Sequence, residues 1–99
     1  MNKTIEQALD EVVADIKAKQ KQNARRLAKI HKLKQENRML ASRRNSLMDK
    51  KIAQVSTYGQ ISGFDLYSYS VKLNRISEQI GKNSSKILRL RTLIKQSKV

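Results

Sequence analysis

Any chemistry in this chain of 99 residues rests on 22 lysines and arginines, eight carboxylates, one histidine and four aromatic side chains. There is no cysteine, which excludes thiol nucleophiles, disulfides and thiolate zinc sites and leaves the redox compartment open. His31 is the sole histidine; it lies one position past Ile30 in the apolar repeat and faces outward as a solvated side chain. No Gly-rich phosphate loop occurs, and no nucleophile stands beside a base. The chain therefore reads as a non-enzyme, with no catalytic, metal or cofactor-binding residue expected.

What remains is charge. The formal net charge is +14, which favours an anionic partner: nucleic acid, an anionic membrane surface or an acidic protein face. The charge is segregated. Residues 1–16 hold Glu6, Asp10, Glu11 and Asp15 against Lys3, a net of −3, whereas residues 17–54 carry a net of +11 and residues 55–99 a net of +6. Carboxylates in that first segment suit the positive end of a helix macrodipole better than a metal or acid–base role. The bases from Lys17 to Lys34, Arg43 and Arg44, and from Lys82 to Lys98 could neutralise phosphates along a duplex. They are spread round the helices, however, and no terminal basic region precedes an uninterrupted zipper. The aromatics also sit away from the densest basic run, where no base-stacking groove can form. Nucleic acid is thus disfavoured.

Tyr58, Phe64, Tyr67 and Tyr69 fall in one short stretch with Gly59 and Gly63, and the chain has no proline. One bend therefore interrupts an otherwise helical pattern, giving an all-α fold: a long antiparallel two-helix coiled-coil hairpin with unequal arms, a single unit over residues 1–99. Helix 1 is expected over about 3–57, the bend at 58–62 and helix 2 over about 63–97, with arms of about 80 and 50 Å. Ile5, Leu9, Val12, Ile16, Ile30, Leu33, Leu40 and Leu47 share one a/d frame, which also places Lys19, Asn23, Arg26, Asn37, Arg44 and Lys51 on the seam. Met48, Ile52 and Val55 then fall one position later, which predicts a local skip before the bend.

Gly59 suits the left-handed position that ends a helix. Ser62 and Asp65 read as a capping pair for the next one. In helix 2, Leu66, Tyr69, Leu73, Ile76, Ile80, Ile87, Leu90 and Ile94 form the structural seam, with Asn83 and Ser97 as polar exceptions. Gly81 and the four polar residues after it are weak helix formers, but the frame resumes in phase, so one continuous, locally soft helix is expected. Pairing about position 60 brings the end of helix 2 back to about position 24. The apolar stripe Ile5, Leu9, Val12, Val13 and Ile16 is then left without a partner helix and needs a cover. At the bend, Tyr69 belongs to the seam, whereas Tyr58, Phe64 and Tyr67 either plug the hairpin end or dock a partner. With no apolar leader and no run of about 18 apolar residues, a soluble, cytoplasmic chain without membrane insertion is expected.

From Ser62 onward the sequence resembles the FliJ/YscO family, the coiled-coil stalk proteins of flagellar and injectisome type III secretion ATPase complexes. The residues that carry the resemblance are Ser62, Asp65, Leu66, Tyr69, Leu73, Ile76 and Ile80, preceded by Tyr58 and Gly59. It implies a hairpin at the centre of a hexameric ATPase, promoting its assembly or activity, with the paired terminal ends toward the ATPase and the bend toward the export-gate cytoplasmic domain. Contact with secretion chaperones is implied as well. Carried onto this chain, the ATPase-binding bases would be Arg25, Arg26, Lys29, Lys86, Arg89, Arg91 and Lys95, and the export-gate or partner-binding residues Tyr58, Phe64 and Tyr67. The alternative is a basic coiled-coil adaptor or nucleic-acid-binding hairpin with no ATPase partner.

Overall fold

Thr4 opens the first helix with a reciprocal capping box: the Gln7 backbone N–H donates to Thr4 Oγ1 at 3.1 Å, and the Thr4 N–H donates to Gln7 Oε1 at 3.2 Å. Two of the donors that a helix start leaves without intrahelical partners are thereby satisfied. The helix so begun, α1, runs over Ile5–Tyr58 without interruption for 54 residues. It ends at Gly59, whose φ of 73° is left-handed and whose N–H donates to the Val55 carbonyl at 2.8 Å. Only glycine takes that conformation without steric cost, so the sequence expectation for this residue holds. The second helix, α2, covers Gly63–Gln96 and is continuous through Gly81 and the polar residues that follow it. The structure is a computed structural model that describes residues 4–59 and 63–97, with the side chains of Thr57 and Tyr58 excluded. The expected Ser62 cap and the Tyr58 docking side chain lie outside the described residues.

The two helices form an antiparallel hairpin measuring 83 × 17 × 14 Å, close to the length of α1 alone at about 1.5 Å per residue. Cross-helix hydrogen bonds join Asn23 with Ser97 and Asn37 with Asn83, two pairs centred on position 60 as the sequence predicts. The seam follows the a/d frame. Ile30, Leu33 and Ile87 are buried in it with Leu90 and Ile94 packed alongside, while Leu40, Leu47, Leu73, Ile76 and Ile80 are half-buried toward the bend. Asn23, Arg26, Asn37, Arg44 and Lys51 also occupy seam positions and are half-buried. Lys19 lies beyond the reach of α2, exposed and paired with Asp15 at 3.2 Å.

Two expectations are corrected. The predicted skip does not occur: the frame continues through Lys51 and Gln54, leaving Met48, Ile52 and Val55 exposed. Gln54 explains why, because its amide donates to Asp65 Oδ2 at 2.9 Å and accepts from the Tyr69 hydroxyl at 3.2 Å. A one-residue shift would turn Gln54 by about 100° and lose both bonds, one of them to a carboxylate. The second correction is Leu66, which is 41% exposed rather than part of the seam. It stands in the first turn of α2, at the end of the layer stack, where Asp65 and Tyr69 on either side of it take the facing Gln54.

Candidate interaction surface

Three polar layers punctuate the seam. At the terminal end, Arg26 Nη1 donates to Asn23 Oδ1 and to Ser97 Oγ, both at 3.0 Å, and the Ser97 hydroxyl donates to Asn23 at 2.9 Å. In the middle, Asn83 is 1% exposed; its amide donates to Asn37 Oδ1 at 3.0 Å and its oxygen accepts from Gln79 at 3.0 Å. The third layer is Gln54 with Asp65 and Tyr69. No buried side-chain nitrogen or oxygen among the described residues lacks a partner. Such layers contribute little net stability and fix which residue faces which.

This placement divides the seven candidate ATPase-binding bases. Arg26 is held in the seam, with its guanidinium committed to Asn23 and Ser97, so it does not stand out as a free cation. Arg25, Lys29, Lys86, Arg89, Arg91 and Lys95 are exposed. In an antiparallel pair the e positions of both helices line one edge and the g positions the other. By register, Arg91 and Lys95 stand on the first edge and Arg25, Lys29, Lys86 and Arg89 on the opposite one. They make a positive collar around the terminal half of the hairpin, not a single patch.

The first edge holds a groove that the heptad reading passed over. Leu27, Ile30, Leu88 and Ile94 form its floor, with His31 and Lys34 on the α1 rim and Arg91 and Lys95 on the α2 rim. Leu88 is 66% exposed and Leu27 about half. The signal was present in the sequence: Leu27 occupies an e position and Leu88 a b position, both outside the a/d frame, on the edge the two helices share. No family model, curated protein or solved structure matches the chain.

Nearer the bend, the same edge of α1 exposes Met48, Ile52 and Val55 around a second shallow groove. Phe64 and Tyr67 are 80% and 69% exposed, and Tyr67 falls on that edge by register. Exposure at that level makes neither residue a core plug. Replacing both by Ala is expected to lower stability by less than about 1 kcal/mol, against about 3 kcal/mol or more for aromatic truncation in a core. Chemical denaturation of the double variant reads the difference. Among the described residues no group of three or more His, Cys, Asp or Glu side chains is placed to hold a metal ion, and no helix is long and apolar enough to cross a membrane.

Proposed function

We propose that this hairpin is the non-catalytic central stalk of a cytoplasmic type III secretion ATPase complex, inserting its terminal half into the hexameric ATPase and offering its bend to the export gate. One observation carries the reading: a thin rod 83 Å long whose terminal half carries exposed cations on both edges, while Met48, Ile52, Val55, Phe64 and Tyr67 form an exposed apolar and aromatic cluster near its bend. A collar addresses an enclosing acidic channel from every side. Its long-range attraction is strong in encounter and weak in geometric demand, which suits a stalk that meets non-equivalent subunits in turn. The exposed Met48, Ile52, Val55, Phe64 and Tyr67 have the character of a protein-docking patch, and the export-gate cytoplasmic domain or a secretion chaperone is the proposed occupant.

The decisive measurement is ATP hydrolysis by the hexameric ATPase with and without the hairpin. Arg89, Arg91 and Lys95 are exposed, so their joint replacement by Glu is expected to leave helicity intact while slowing association about tenfold or more at low salt. Undiminished stimulation by that variant at low ionic strength would refute docking through the collar. Absence of any stimulation or co-purification by the wild-type chain would leave the adaptor as the better reading.

A further inference from the structure

The overhang of α1 beyond the end of α2 carries an uncovered apolar stripe: Ile5, Leu9, Val12 and Val13 are all exposed. It is amphipathic in an unusual way. By register, Glu6 and Asp10 flank the apolar stripe on one side and Glu11 and Asp15 on the other. The groove at the terminal half has the complementary cross-section: an apolar floor of Leu27, Ile30, Leu88 and Ile94 between His31 and Lys34 on one rim and Arg91 and Lys95 on the other. We propose that the overhang of one copy docks in this groove of a second copy, and reciprocally, to form a two-fold dimer.

The alternatives within the chain fail on physical grounds. Because α1 is one continuous helix from Ile5 to Tyr58, the overhang cannot fold back onto its own groove. Two overhangs zipped against each other would match apolar layers well, Ile5 with Ile16 and Leu9 with Val12. They would also set two acidic segments face to face, each with four carboxylates, a like-charge juxtaposition that disfavours pairing. Docking in the groove pairs the same apolar stripe with carboxylates opposite cations on both rims. The overhang stripe from Ile5 to Ile16 is about 17 Å long, enough to span the two helical turns that line the groove. A reciprocal arrangement makes both contacts identical and closes at two copies. The dimer covers Arg91 and Lys95, so it would compete with any anionic partner of the collar, but it does not depend on what that partner is.

Sedimentation equilibrium of the full chain at low ionic strength tests the proposal without any ATPase. The expected result is a monomer–dimer equilibrium that weakens as salt is added. Leu9→Asp in the overhang and Leu88→Asp in the groove are each expected to raise the dimer Kd about tenfold or more, with unchanged helical circular dichroism because both side chains are solvent-exposed. Reversing both sides of the overhang with Glu6→Lys, Asp10→Lys, Glu11→Lys and Asp15→Lys should abolish the dimer. Adding Lys34→Glu, Arg91→Glu and Lys95→Glu, which reverses both rims of the groove, to that same chain should restore it, a rescue that a merely structural effect cannot produce. A chain that stays monomeric at every concentration at low salt overturns the proposal. A dimer indifferent to Leu88→Asp would assign the contact to paired overhangs instead, and growth beyond two copies would overturn reciprocal closure.

Discussion

Ile87→Asp is expected to melt the hairpin. Ile87 is one of only three buried apolar residues among those described, packed with Ile30 and Leu33, and no cation shares that layer to receive a carboxylate. Burying an unpaired charge there, or opening the seam to hydrate it, costs about 3–5 kcal/mol. A seam with so short a core stands at the low end of the usual 5–15 kcal/mol of domain stability, so the loss approaches the whole. Thermal unfolding followed by circular dichroism checks this, with Leu88→Asp as the internal control. The control changes the neighbouring residue in the same way, but on the exposed edge, and is expected to unfold close to wild type. Wild-type melting of Ile87→Asp would overturn the register of the whole seam.

The middle polar layer should behave in the opposite sense when its members are changed together. Asn83→Leu alone strands the Asn37 and Gln79 groups that now bond to Asn83, and leaving buried polar groups unpaired costs about 1–3 kcal/mol each. Asn37→Leu with Asn83→Leu removes both sides of the central bond and extends the apolar core past Leu33. The double variant is expected to match or exceed wild-type stability, because replacing both partners of a buried hydrogen bond by apolar groups is nearly neutral or stabilising and the half-buried Gln79 amide can turn to water. Its pairing should be less exclusive, because the layer that penalises slipped and intermolecular alignments is gone. A double-mutant cycle by chemical denaturation, with sedimentation of the double variant, reads both effects. Equal losses for single and double changes would show that Asn37 and Asn83 are not coupled.

Much of this arrangement was legible in the sequence because a seam is a periodic object. The a/d frame placed Asn23, Arg26, Asn37, Arg44 and Lys51 inward despite their polarity, and the position of Gly59 fixed the centre about which the helices pair. Periodicity failed where the deciding force was not apolar. Met48, Ile52 and Val55 outvote Lys51 and Gln54 when hydrophobic residues are counted, yet Gln54 stays inward because Asp65 and Tyr69 lie across from it, and that is a fact about α2. Leu66 was misplaced for a related reason: a heptad assigns the same letter to a layer in mid-stack and to one at the end of the stack. The Thr4–Gln7 cap was readable as Thr-x-x-Gln and was overlooked. The groove was missed because its two walls, Leu27 with Lys34 and Leu88 with Arg91, come from distant parts of the chain and meet only once the pairing is known.

The position of the buried cluster also sets a timetable for the ribosome. Ile30 and Leu33 are translated 57 and 54 residues before Ile87, an interval of about 3–11 s at ordinary elongation rates. α1 is long enough to gain helicity on its own in that time, but its inward face has nothing to pack against. Contacts formable earlier lie near the bend, where the layer of Gln54, Asp65 and Tyr69 supplies hydrogen bonds and little apolar burial. Closure of the hairpin therefore waits for Ile87, and the nascent chain carries an uncovered greasy strip on a strongly basic rod for seconds. During that window it is most exposed to capture by any acidic or apolar surface nearby.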